Sequence, residues 1–281
     1  MSTLRLAEVA ESAVAGIERQ SWLDRIAAVA DRGIGAALQA AGPAGARIKN
    51  FLHGTWLGHP LHPVLTDIPV GAWTAAAVMD AADALGGHDG RTGSGAARAI
   101  RIGVAGAAAA ALAGAADWHH TDGGSKRTGL HAMLNTAALG LYVSSLALRR
   151  RGRVPEGRGV AFLGFATMLA SAYLGGSLVY RQRVGVDHAP REGTRGFTPV
   201  LRSDELPEGA TRRVDVGGIP VLVARRGGRV LALAERCSHM GGPLSEGPLE
   251  GDSVRCPWHG SRFSLEDGRV LDGPAAMAQP C

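Results

Sequence analysis

Residues 237–259 read CSHMGGPLSEGPLEGDSVRCPWH, opening on Cys237-Ser238-His239 and closing on Cys256-Pro257-Trp258-His259 with sixteen residues between the motifs. Cys-x-His and Cys-x-x-His each present one thiolate and one imidazole from a tight loop. Together they supply two sulfur and two nitrogen ligands. That set fits a binuclear iron–sulfur centre in which one iron takes both Cys and the other both His. A tetrahedral zinc ion accepts the same four side chains.

Around this stretch the chain reads as a small antiparallel β domain. Residues 211–216, 221–224 and 230–234 are short β-like runs separated by Gly217-Gly218 and Gly227-Gly228. Turn dipeptides this close together close hairpins. The polar, Arg-rich residues 181–196 read as a linker before it.

The motif resembles the Rieske family over residues 197–281. Gly241, Gly242, Pro243 and Leu244 are similar to the glycine–proline stretch of that family's first cluster loop, and Gly260 and Phe263 to the second. Gly273-Pro274-Ala275 resembles the proline loop that covers the cluster. The resemblance implies one [2Fe–2S] cluster, with Cys237 and Cys256 on the inner iron. His239 and His259 would be exposed towards a redox partner. Two departures from the respiratory-complex branch carry information. Its loop-joining disulfide is replaced by Gly242 and Trp258, and Phe263 stands where that branch has a Tyr donating to a sulfur, while Ser261 is kept. Losing one donor stabilises the reduced cluster less and lowers the potential. The chain thus looks like the ferredoxin and dioxygenase-associated branch. Members of the family usually close with a further strand after the proline loop, so the domain is expected to be C-terminally incomplete at Cys281.

Upstream the chain is apolar and helical. Residues 6–40 carry apolar positions at helical spacing, read as two amphipathic helices broken near Gln20-Ser21 and stopped by Gly42-Pro43; they either lie on a membrane or pack on a neighbouring domain. Four apolar segments follow, at about 65–85, 102–116, 130–148 and 159–180. Asp67, Asp80 and Asp83 weaken the first, with the last two read as boundary residues, and the second has 15 uncharged residues. Only the last two match the roughly 20 residues that a bilayer core needs. Small residues recur every fourth position, as in Gly103, Ala107, Ala111 and Ala115, which lets membrane helices approach closely. The expected fold is multidomain: an all-α transmembrane four-helix bundle followed by a small all-β Rieske domain. Its boundaries are 1–50 (amphipathic), 51–180 (bundle), 181–196 (linker) and 197–281.

The run from Leu57 to Trp73, with Asp117-Trp118-His119 and Gly129-Leu130-His131-Ala132-Met133-Leu134-Asn135, is similar to a bacterial family of small four-helix membrane proteins. That family is a domain of unknown function, sometimes fused to a Rieske domain. The resemblance implies a membrane location and no defined activity.

Composition narrows the function. The net charge is +5, but the Arg clusters flank apolar segments and lack the aromatic interleaving of a nucleic-acid groove, which excludes that partner. Of three cysteines two belong to the motif, which leaves no structural disulfide and favours a reducing compartment. The N-terminus lacks an apolar signal region. Arg and Lys counts on the two sides of four spans tie, so orientation rests on these weaker signs, which place the Rieske domain and the N-terminus together on the cytoplasmic side.

The expected function is membrane-anchored electron transfer, with the lipid bilayer and a redox protein or quinol as partners. A redox sensor or structural iron–sulfur module, and a component of a Rieske oxygenase system, are the alternatives. Eight histidines lie outside the motif, and threading four spans puts seven of them, all but His88, on the side of the β domain. His59, His62, Asp67, His119 and His131 form a candidate second site for haem or quinone, with His62 and His131 the preferred pair. Pro60 and Pro63 are expected to hold His59 and His62 on an irregular approach to the first span.

Overall fold

The computed structural model describes residues 3–86, 91–119, 126–191 and 196–281. His88 and His120, two of the eight histidines outside the cluster motif, lie outside the described residues. Among them the chain forms seven α-helices followed by two small antiparallel sheets. It divides into two compact units, each built from separated segments: residues 1–37 with 62–182, and 38–61 with 183–281. This partition differs from the compositional one, because residues 38–61, divided there between the amphipathic region and the bundle, fall with the β domain.

The first unit contains α1 (Thr3–Glu18), most of α2 (Ser21–Ala40), and the long helices α4 (Leu61–Gly86), α5 (Arg91–His119), α6 (Lys126–Arg150) and α7 (Val154–Tyr180). Trp73, Ala76, Ala96, Ile100, Ala138, Tyr142, Ala161 and Met168 make its core, and the many small residues let the backbones approach. Ring stacking of Trp73 on Tyr142, centroids 4.0 Å apart, ties α4 to α6. Helix α1 packs through Val14 against Leu130 and Leu174. Its Glu18 lies 2.7 Å from Arg127 Nε, and its Glu11 accepts the Tyr173 hydroxyl at 3.0 Å. Packing is therefore the role of that helix, with its acidic face turned to the bundle.

Three of the long helices are long and apolar enough to cross a membrane: 94–119, 127–150 and 154–180. Helix α5 exceeds its 15-residue uncharged stretch because Arg98 and Arg101 fall within one continuous 29-residue helix. The expected irregular approach holds for His59 and Pro60, which precede the helix, and is corrected for His62 and Pro63. Helix α4 starts at Leu61, so Pro63 sits in its first turn, where a missing N–H costs nothing, and Pro69 lies inside it. The second amphipathic helix ends at Ala40, just before Gly42-Pro43 as expected, but the same dipeptide also opens α3 (Gly42–His53), with the proline at its N-terminal turn. Asp80 and Asp83 are buried, not boundary residues. Asp80 pairs with Arg149 of α6, and Arg158 of α7 lies 3.7 Å from Asp80 and 3.6 Å from Asp83.

The second unit holds α3 and the sheets. Strands β1 (Thr211–Val216), β2 (Ile219–Arg226) and β3 (Arg229–Ala234) form one meander. Its two-residue turns are Gly217-Gly218 and Gly227-Gly228, all at positive φ, the conformation that hairpin closure demands. Strands β4 (Leu249–Glu250), β5 (Ser253–Arg255), β6 (Arg262–Ser264) and β7 (Val270–Asp272) form the second sheet in sequence order. Leu222, Ala224, Leu233, Leu244, Val254, Phe263 and Leu265 pack with Cys237 and Cys256 into one core.

Removing one partner of a buried ion cluster strands the others in a low-dielectric interior. Asp80→Ala, which removes the carboxylate partner of Arg149 and leaves Arg158 with Asp83 alone, is expected to destabilise the protein by about 3–5 kcal/mol, read as a lowered thermal midpoint in detergent.

Candidate metal centre

The two motif loops have the same backbone design. Cys237 N–H donates to Gly242 O at 2.9 Å and Gly241 N–H to Cys237 O at 2.8 Å. In the second loop Cys256 N–H donates to Ser261 O at 2.8 Å and Gly260 N–H to Cys256 O at 3.1 Å. Gly241 and Gly260 both sit at φ 78°, a left-handed conformation that glycine adopts without strain. β-Strand pairing then sets each loop: β3 leads into the first, and β5 and β6 frame the second.

This geometry turns the four side chains into two pairs. Cys237 and Cys256 are 1% and 2% exposed, while His239 and His259 are half-buried with ring centroids 5.0 Å apart. Backbone N–H groups of His239 and Met240 point to the Cys237 sulfur, and those of Trp258 and His259 to the Cys256 sulfur. The Cys237 thiol donates to Cys256, which holds Cys256 down to about 6, with the N–H groups assisting. That donated hydrogen bond and burial push Cys237 up. The residues therefore fit a binuclear cluster: buried sulfurs surrounded by N–H donors, and imidazoles at the surface.

Gly242 lies where a side chain cannot go. A Cβ there would stand 2.9 Å from the Cys256 sulfur and 3.0 Å from the Trp258 ring. Trp258 itself is 53% exposed beside His259, rings 6.4 Å apart. Ser261 is buried and its Oγ accepts the Ala275 N–H at 2.9 Å, which ties the second loop to the proline loop.

Sequence reading missed the role of α3. Lys49 Nζ lies 3.0 Å from Asp272 and 3.2 Å from the Gly273 carbonyl, and Asn50 accepts the Gly273 N–H at 2.9 Å. His53, 1% exposed, packs against the same glycine: a Cβ on Gly273 would be 3.2 Å from its ring. The proline loop is thus held from outside by a helix far away in sequence, and no local signal in residues 42–53 announces it. The last residues are also tied in, since Gln279 receives the Ser238 N–H and donates to Ala234 O and Arg236 O.

Of the second candidate set, the structure unites only His62 and His131, rings 6.4 Å apart. Asp67 is exposed. It neither caps α4, which begins six residues earlier, nor orients a histidine, since His62 and His131 bond Ala110 and Ser171 instead. His119 is held by Asp31 of α2 at 2.7 Å. His59 belongs to the other unit, exposed, with Nδ1 3.0 Å from Pro60 O.

Residues 196–281 match the model of the Rieske [2Fe-2S] domain, and residues 58–188 that of a predicted membrane protein family, DUF2231. Ferredoxin CarAc of Metapseudomonas resinovorans is 35% identical over 79 residues, 28% of this chain and 74% of that protein. Apoptosis-inducing factor 3 of Mus musculus is 40% identical over 75 residues, 27% of this chain but only 12% of that protein. Among solved structures, the ferredoxin of carbazole 1,9a-dioxygenase from Nocardioides aromaticivorans IC177 is 29% identical with TM-score 0.29, covering 30% of this chain and 82% of that one.

Two substitutions test the site. Gly242→Ala must displace Trp258 or the Cys256 sulfur, an overpacking of about 1–3 kcal/mol, and should lower bound iron per chain on elemental analysis. Phe263→Tyr places a donor in the buried core beside the cysteines. About 1 kcal/mol of hydrogen bonding corresponds to roughly 40 mV for one electron, so the midpoint potential should rise by tens of millivolts; an unchanged value would show that the ring points elsewhere.

Proposed function

The chain belongs to the Rieske [2Fe–2S] family, and on that premise we propose that it is a membrane-anchored one-electron carrier with Cys237, His239, Cys256 and His259 as its cluster ligands. The observation that carries this reading is the division of the four side chains into a buried sulfur pair and a surface imidazole pair. When bound, the cluster supplies reversible one-electron chemistry. The chain's own residues shield the sulfurs, aim N–H groups at them and leave His239, His259 and the exposed Trp258 as the face that meets a redox protein. The ferredoxin relatives support a partner protein that accepts or donates single electrons, an oxygenase component among the candidates.

Membrane anchoring is supported by the three apolar helices and by a topological argument. Residues 38–61 and 183–281 belong to one compact unit, so the chain between them crosses a bilayer an even number of times. Helix α4 is then the fourth span, despite its acidic residues, because Asp80 and Asp83 are paired with arginines within the helical unit. The helical unit would exchange electrons with the cluster through a quinol or haem site of its own, and both termini would lie on the cytoplasmic side.

Reduced protein should give the anisotropic EPR signal of a mixed-valence centre with two imidazole ligands on one iron. His259→Ala should abolish it. A signal persisting in that variant overturns the ligand assignment.

A further inference from the structure

The helical unit is a duplicated hairpin. Leu61, His62, Leu65, Gly71 and Trp73 of α4 recur 69 positions later as Leu130, His131, Leu134, Gly140 and Tyr142 of α6. The pairing is also spatial: His62 meets His131, Trp73 stacks on Tyr142, and Asp80 pairs with Arg149, each a residue and its counterpart 69 positions on. The second helices of the hairpins follow suit at an offset of 61. His62 Nδ1 lies 2.8 Å from Ala110 O and its ring sits over Gly114, where a Cβ would be 2.8 Å away. His131 Nδ1 lies 2.9 Å from Ser171 O with its ring over Gly175, where a Cβ would be 3.1 Å away. The two histidines are therefore symmetry mates on an approximate two-fold axis, each with the same carbonyl partner and the same glycine notch.

A carbonyl bonded to Nδ1 fixes the proton there and leaves a lone pair on Nε2. On His131 that nitrogen faces the Asn135 amide nitrogen at 3.0 Å, consistent with an acceptor. Two such nitrogens suit a Lewis acid. A metal about 2.0 Å from each nitrogen stands about 3.1 Å from each ring centroid, so imidazoles on opposite sides of one ion have centroids about 6.3 Å apart, and at a tetrahedral angle about 5.1 Å. The separation of His62 and His131 is 6.4 Å, against 5.0 Å for His239 and His259. The first pair thus has the spacing of trans ligands and the second that of cis ligands on a tetrahedral iron. Among the described residues no further His, Cys, Asp or Glu completes a shell around the first pair, so the remaining ligands come with the metal, as they do in a tetrapyrrole.

Resting on the electron-transfer reading, we propose that His62 and His131 are the two axial ligands of one haem iron, with the Asn135 bond to His131 exchanged for the iron bond. The rings stand at 87°, so the ferric haem should be low-spin with a strongly anisotropic EPR signal. The test uses the full chain purified in detergent from cells fed a haem precursor, with haemin added as probe. Expected are a Soret band, about one haem per cluster, and loss of haem by more than about tenfold in His62→Ala and in His131→Ala, while the cluster EPR signal, which reports the β unit, and the helical circular dichroism, which reports the helical unit, keep their amplitudes. His131→Met should retain haem with a shifted spectrum, since a thioether can replace an axial imidazole. A cluster signal with no haem in the wild type overturns this proposal alone, as does haem retained in both alanine variants, or quinol or zinc bound in its place. Absence of the cluster signal overturns the electron-transfer reading on which it rests.

Discussion

Two sulfur atoms have to lie side by side in an apolar core while the two imidazoles paired with them stay at the surface, and the β unit is organised around that requirement. Sulfur with negative character cannot be buried without donors, so the chain near Cys237 and Cys256 folds into loops that turn consecutive N–H groups inward. Left-handed backbone at Gly241 and Gly260 follows from those loops. So does the absence of a side chain at Gly242, whose place is taken by the sulfur and indole opposite. The surrounding strands are short because their task is to present loop ends, and the core they share is small and includes the cysteines themselves.

What could be read from the sequence follows the range of the forces involved. The two loops that carry the candidate ligands were legible because spacing, glycines and turn dipeptides are local determinants. The meander was legible for the same reason, although its second strand runs to Arg226, beyond the alternating stretch, since pairing with β3 stabilises residues whose composition alone does not favour a strand. Helix α3 was misread because a proline that ends one helix can equally begin the next, and context decides. Asp80 and Asp83 were misplaced because their partners Arg149 and Arg158 lie on other helices, and a charge looks interfacial until its counter-ion is found. The structure brings His62 and His131 together, whereas Asp67, His59 and His119 were grouped with them by sequence proximity and by threading the spans, which set no direction for a side chain.

The helical unit places its polar side chains in layers: imidazoles near one end, aromatic rings in the middle and a carboxylate–guanidinium cluster near the other. Each layer is contributed by the same position of the two hairpins. Duplicated hairpins related by an axis along the bundle need only one solution to the packing problem, applied twice. The exception is informative, since an acidic residue in the first copy faces a basic one in the second, where identical charges would repel.

The proline loop is held by a helix that the ribosome produces much earlier. Lys49 lies 224 residues before Gly273, and the four long helices α4 to α7 are synthesised between them. Closing so long a loop is slow, and its entropy has to be met by the assembled structure in between. Residues 42–53 are thus made early and completed late, because the proline loop that they hold follows the long helices in the chain. A chain stalled before its last strands would leave the first half of that clamp with nothing to hold.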